Sequence, residues 1–258
     1  MTVLAHESSG VGTPLLLLHG FPHDHTLWAP QLAGLMSHCR CIAPDLRGFG
    51  ESPVAPPYSM DRYADDVLEL LDRLGIERAV VAGLSMGGYV ALAMWRRHRR
   101  RIRAMALIDT RAGADNDETR ERRRAQIEVA RSQGAEVLAA QLLSGQLGER
   151  TRERHPEIVE VVRTMLARAP VEGIVGALEA MIARPDSTPT LATIDVPTLV
   201  VVGEQDTVTP PAEARRLHEG IRGSRLEIVG GAGHLSSLER PAAVNHLLSE
   251  FIARLDYA

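Results

Sequence analysis

A chain of 258 residues with 45% hydrophobic residues and a formal charge of −4 carries enough apolar material for one sizeable domain. It has no global attraction to nucleic acid or to an anionic membrane surface. All 29 basic residues are arginine, which excludes chemistries that need a lysine amine: a P-loop, Schiff-base or pyridoxal catalysis, and a serine–lysine dyad.

Residues 1–12 lack a charged stretch followed by an apolar one, so a secretory leader is not expected. No stretch reaches the roughly 18 uncharged apolar residues of a membrane span. A cytoplasmic protein is expected. In chain order, apolar runs at 14–18, 39–43, 79–82, 104–108, 196–202 and 226–229 read as strands. They are short and do not alternate with polar residues, which suits strands covered on both faces. Helical patterns lie between them. Residues 61–74 place Val67, Leu70, Leu71 and Leu74 on one face before Gly75, a stripe and stop signal of an amphipathic helix. Residues 87–98 follow the third strand, and prolines open helices near 210–219 and 241–255, where proline suits a first turn. Alternation of this kind predicts a mostly parallel sheet with helices on both faces.

The alternation stops between 111 and 188, where the pattern predicts four helices near 118–133, 135–143, 156–169 and 171–184 and no strand. This block is an insertion between two strands. Cys39 and Cys41 sit two apart in a predicted strand, sharing a face but poorly placed for an unstrained disulfide. They read as reduced apolar packers.

Chemistry concentrates in four short segments. Gly83-Leu84-Ser85-Met86-Gly87 follows a strand and opens a helix, the setting in which a serine is lifted above a sheet on a strained turn. Ser85 is the candidate nucleophile. A serine hydroxyl needs a base, and His234, after the glycines 230, 231 and 233 beyond the last strand, is the candidate. The base needs an anion to set its tautomer and stabilise its charged form. Asp206, in Gly203-Glu204-Gln205-Asp206, is the expected acid; Asp109, at the end of the fourth strand, is the rival. Backbone N–H groups of Met86 and Phe21 are the candidate oxyanion donors, with His19 supporting the Phe21 loop. His19, His23, Asp24 and His25 fit no strong zinc spacing, so no metal is expected. The basic run at 96–101 reads as a solvated helix end.

These residues carry a resemblance to a known family. His19-Gly20-Phe21-Pro22, Asp45-Leu46-Arg47-Gly48-Phe49-Gly50-Glu51-Ser52, the Ser85 turn continuing as Gly88-Tyr89-Val90-Ala91-Leu92, Gly203-Glu204-Gln205-Asp206 and Gly233-His234 resemble the capped branch of the α/β-hydrolase superfamily over essentially the whole chain. Within it, the chain is similar to small carboxylesterases and to 3-oxoadipate enol-lactone hydrolases. The resemblance implies an α/β-hydrolase fold with a mostly parallel sheet of the eight-stranded type, a core of residues 1–110 and 189–258, and a helical cap over 111–188. It also implies no metal or organic cofactor. Ser85 stands where haloalkane dehalogenases and epoxide hydrolases would carry aspartate, which excludes both.

The expected activity is hydrolysis of a small or medium carboxylic ester through an acyl-enzyme. A lactone hydrolase is the first alternative, and a slow-turnover ligand receptor on the same fold is the second. The expected partner is a small-molecule ester or lactone, with no nucleic acid and no membrane. Residues 111–188 contain no Phe, Trp or Tyr, so the cap is expected to present aliphatic side chains, with arginine at the mouth. A buried arginine would favour a carboxylate-bearing lactone. Trp28, soon after the Phe21 loop, is the expected aromatic wall of the substrate pocket.

Overall fold

A computed structural model describes residues 3–255. Among them are seven strands in one sheet: β1 (His6–Ser9), β2 (Pro14–Leu18), β3 (Arg40–Pro44), β4 (Ala79–Leu84), β5 (Ile102–Ile108), β6 (Thr198–Gly203) and β7 (Arg225–Val229). Their order across the sheet is β1-β3-β2-β4-β5-β6-β7. Only β1, an edge strand, runs antiparallel, pairing His6 with Pro44 and Ser9 with Cys41. Seven strands among the described residues, mostly parallel, agree with the expected sheet of the eight-stranded type.

The sheet is covered on both faces, and residues along a strand alternate between the two cores. Leu16, Leu18, Val81, Leu107 and Val202 join one apolar cluster, while Leu15, Leu17, Val80, Ile108 and Val201 join the other. This is the two-residue period of a strand with neither face exposed, and it explains the unbroken apolar runs. Each wholly buried leucine of β2 contributes roughly 1.5–3 kcal/mol of burial.

Helices α1 (Ala29–Gly34), α2 (Met60–Arg73) and α3 (Met86–His98) belong to the first half of the chain. Ser59 caps α2 by accepting the Arg62 N–H at 2.9 Å, as a helix start favours. Between β5 and Thr188 lie five helices and no strand: α4 (Asp117–Gln133), α5 (Ala135–Gln146), α6 (Glu149–Arg154), α7 (Pro156–Ala167) and α8 (Val171–Ala183). Four match the sequence expectation within a few residues. The fifth, α6, has the sequence Glu-Arg-Thr-Arg-Glu-Arg, which offers no apolar stripe to read. Helix α9 (Thr188–Leu191) precedes β6, and α10 (Pro211–Gly220), α11 (Ser236–Glu239) and α12 (Pro241–Leu255) follow it. No helix among the described residues is long and apolar enough to cross a membrane.

The chain leaves β2 for β3 on one side and returns to β4 on the other. In open α/β sheets, such a reversal opens a crevice beyond the carboxyl ends of the strands. The Phe21 loop, Ser85 and Asp109 all follow the carboxyl ends of β2, β4 and β5.

Candidate active site

Ser85 joins β4 to α3 at φ 54° and ψ −114°, a left-handed conformation costing a non-glycine residue on the order of 1–3 kcal/mol. The turn closes because its glycines have no side chains. A Cβ on Gly83 would lie 2.3 Å from the Gly87 carbonyl oxygen, and one on Gly87 would lie 2.2 Å from that of Leu18. Thr110 pins the turn by donating its hydroxyl to the Ser85 carbonyl at 2.7 Å.

The structure brings Ser85, His234 and Asp206 together. His234 Nε2 lies 2.9 Å from Ser85 Oγ, and His234 Nδ1 lies 2.9 Å from Asp206 Oδ2. The remaining lone pairs of Asp206 accept the N–H groups of Val208 and Thr209 and the Thr209 hydroxyl at 2.8–2.9 Å. Burial pulls His234 toward its neutral form, but the adjoining Asp206 more than offsets this, so the ring titrates above the ordinary imidazole range. Burial alone would raise Asp206; the His234 charge and the Thr209 donors hold it below the usual carboxylate value. This is the arrangement of a base primed to take a hydroxyl proton and to remain stable once charged.

Asp109, the rival acid, sits beside this group in another role. Its Oδ1 accepts the Gly203 N–H at 2.8 Å, and its Oδ2 accepts the Ser236 N–H at 3.0 Å and hydroxyl at 2.6 Å. It therefore ties the β6 end to the loop beyond His234. Burial, and then the charge of Asp206, push it up to about 8.

The Phe21 loop is held by His19, whose Nδ1–H donates to the Gly20 carbonyl at 2.8 Å while Nε2 accepts the Leu46 N–H at 2.9 Å. Burial keeps His19 below the ordinary imidazole value, so it stays neutral and structural. Met86 N–H opens α3 and Phe21 N–H follows the Gly20 turn; among the described residues neither donates to a backbone acceptor. Two such donors beside a nucleophile are what a developing oxyanion requires.

A cavity of about 280 Å³ opens over Ser85 and His234. Phe21 and Tyr89 line it from the strand side, and Arg111, Arg122, Arg123 and Gln146 from the insertion side. The expectation of an aliphatic insertion wall is corrected: of the residues it contributes, only Leu142 and Met181 are aliphatic. A lack of aromatic residues carried no information about polarity. Trp28 is also corrected. It is wholly buried in the apolar cluster with Leu15, Leu35 and Phe251, and it does not line the cavity. A tryptophan of the core and one of a pocket wall look alike in sequence.

Behind the insertion wall, the buried Asp115 is shared by three guanidiniums. Arg111 and Arg184 reach Oδ1 at 2.5 and 2.9 Å, and Arg123 reaches Oδ2 at 2.6 Å. Arg184 also lies 4.0 Å over the Tyr89 ring, a cation–π contact. Buried Nε atoms of Arg111 and Arg184 and the buried Oε1 of Gln146 have no partner among the described residues. The sequence signal for this cluster is modest: Arg111 and Asp115 stand four apart just after β5.

A roomier depression of about 830 Å³ runs beside Trp95 and Arg96–Arg101. It lies at the far end of α3 from Ser85, about 18 Å along a helix rising 1.5 Å per residue, and has no nucleophile. Asp24, His25 and Asp45 place donor atoms within 4.8 Å of one another. Arg168 already occupies Asp24 through two contacts of 2.7 Å, and His25 Nδ1 lies 2.8 Å from Asp45 Oδ1, so the trio is an ion-paired clasp and fits a metal poorly.

Residues 13–241 match the profile of the family described as alpha/beta hydrolase fold. A thermophilic esterase from Thermogutta terrifontis, solved with malate bound, is 41% identical with a TM-score of 0.95, over 98% of this chain and 93% of its own. The enol-lactonase from Burkholderia xenovorans is 33% identical with a TM-score of 0.91, over 98% and 97%. The curated 3-oxoadipate enol-lactonase 2 of Acinetobacter baylyi is 33% identical over 90% of this chain and 85% of its own. With the family match spanning most of the chain, the protein belongs to the α/β-hydrolase family and resembles its esterases and enol-lactonases.

Proposed function

We propose that this protein is a serine hydrolase of small carboxylic esters or lactones, with residues 111–188 as its cap. The observation that carries the reading is the relay from Ser85 through His234 to Asp206, with both contacts at 2.9 Å. His234 Nε2 takes the Ser85 proton as Oγ attacks the carbonyl carbon. The N–H groups of Phe21 and Met86 hold the oxyanion. The imidazolium, steadied by Asp206, returns its proton to the leaving alkoxide, and water then attacks the acyl-enzyme with His234 again as base. A cavity of about 280 Å³ sits at the small end of ligand pockets, which favours a compact acyl group.

One observation favours an anionic substrate, and with it the lactone reading. Arg111, Arg122 and Arg123 line the cavity, and the one buried carboxylate behind them is divided among three guanidiniums. A net positive wall of this kind suits a carboxylate on the substrate. The similar esterase solved with malate bound and the similar enol-lactonases agree with that choice.

Treatment with a fluorophosphonate followed by peptide mass spectrometry tests the mechanism. A stoichiometric adduct on Ser85, p-nitrophenyl ester turnover and its near-complete loss in Ser85→Ala are expected. Absence of an adduct on Ser85 would overturn the reading in favour of a ligand receptor.

A further inference from the structure

Glu239 lies five residues beyond His234, is 3% exposed, and has no ion pair among the described residues. A buried carboxylate without a cation is costly unless its oxygens are well supplied with donors. Its donors here are all backbone amides. Oε1 accepts Gly233 N–H at 2.8 Å and Leu235 N–H at 3.3 Å, the two residues that flank His234. Oε2 accepts Gly148 N–H at 2.8 Å, and Gly148 opens α6 in the helical insertion. One oxygen thus holds the loop of the base and the other holds the insertion.

The two backbones meet with no room for a side chain. A Cβ on Gly233 would lie 2.2 Å from Gly148 N, and one on Gly148 would lie 2.7 Å from Gln205 Oε1 and 3.0 Å from Gly233 N. Gln205 forms a second strap by accepting Glu149 N–H at 3.0 Å, and it immediately precedes Asp206. Loops carrying the acid and the base are therefore both fastened to the start of α6. Gln146, two residues earlier, lines the cavity with an unpartnered Oε1, so a bound molecule touches the same segment.

We propose that Glu239 is a positioning residue that latches the insertion to the His234 loop, so that seating of the insertion over a substrate sets the geometry of the base. The latch rests on the serine-hydrolase reading for its kinetic consequences but not for its mechanical one. Its negative charge also faces His234, together with Asp206, Asp109 and the neutral His23. A merely structural acceptor would have no influence on the base's titration.

The test compares Glu239→Gln with Gly148→Ala in the full chain by amide hydrogen exchange and by pH-resolved kinetics, normalised to the fraction of Ser85 labelled by fluorophosphonate. Glutamine keeps one acceptor but turns a donor toward an N–H; alanine crowds the contact from the insertion side and removes no charge. Faster exchange is expected at Gly148 and Glu149 in Glu239→Gln, and at Gly233 and Leu235 in Gly148→Ala, each across the latch from the substitution. Both variants should lose roughly 10- to 100-fold, in kcat more than in KM, as small misplacements of catalytic groups do. The acid limb of kcat should move to lower pH only in Glu239→Gln, because only that variant removes a negative charge facing His234. Unchanged exchange of the His234 loop and unchanged kcat in Gly148→Ala would overturn the latch, even if Glu239→Gln fails to fold. A wild type that does not label or turn over would sink the hydrolase reading instead, and the exchange data would still decide the latch.

Discussion

The two walls of the cavity mirror each other in charge. On the strand side, two buried carboxyl groups, Asp206 and Asp109, stand around one imidazole. On the insertion side, three guanidiniums stand around one buried carboxylate, Asp115. Each side concentrates one kind of ionisable group. Asp206 favours the protonated form of His234, while Asp109, pushed up to about 8, adds little charge. Excess base leaves Arg111 with an unpartnered Nε beside the space a substrate would fill. Buried charge is tolerated where it is shared, because removing one partner strands the rest.

Breaking the acid side gives the largest expected effect. Asp206→Asn should lower kcat by roughly 10⁴-fold, the loss seen when the orienting acid of such a triad is neutralised. The sign of the pH effect follows from the charge. Without Asp206, His234 holds its proton less tightly, the neutral base persists to lower pH, and the acid limb of the residual rate moves down. In the wild type, that limb should lie above the ordinary imidazole value of 6.5. An Asp206→Asn variant with near-normal kcat, alongside an inactive Asp109→Asn, would transfer the acid role to Asp109.

Breaking the basic side should cost stability first. Asp115→Ala leaves three guanidiniums facing one another and should destabilise the fold by roughly 3–5 kcal/mol, as loss of one partner in a buried ion cluster does. Thermal unfolding would register this as a fall in Tm of several degrees or more. An unshifted Tm would mean the arginines are solvated and the cluster is not a structural unit.

Arg111→Gln sharpens the comparison. It should lower kcat/KM by roughly 10- to 100-fold for an ester bearing a free carboxylate, the range of a charge-assisted contact, and leave a neutral ester of the same size nearly unaffected. Equal losses on both esters would remove the anionic-substrate reading. The smallest effect is expected of Asp109→Asn: its carboxyl, pushed up to about 8, carries little charge on the acid limb, so that limb should barely move. Kinetics across the pH range measure both on one axis.

Much of this was legible beforehand because buried parallel strands leave apolar runs, and because Ser85, Asp206 and His234 each follow a strand in a recognisable order. What escaped has physical reasons. Three of the four residues of β1 are exposed on the edge of the sheet, so the strand has no apolar pattern to betray it. Helix α6 is made almost wholly of charged residues. Proximity of Trp28 in sequence to the Phe21 loop says nothing about which way its indole points. Asp115 and Glu239 are buried acids that each take one partner from a distant segment, Arg184 69 residues away and Gly148 91 residues away; a chain read locally does not show that these partners bury them.

One bond at the base of the insertion bears on how such a protein could change. Ser187 N–H donates to the Ala112 carbonyl at 3.1 Å, so the strand layer meets everything between those residues as a single closed turn. Closing a longer or shorter segment there alters the loop entropy only slowly with length. On the proposed reading, the cavity wall can therefore be exchanged as a cassette with Ser85, His234 and Asp206 left in place. The clasps that cross the seam, among them Arg168 on Asp24, Gly148 on Glu239 and Glu149 on Gln205, mark positions a replacement would have to supply.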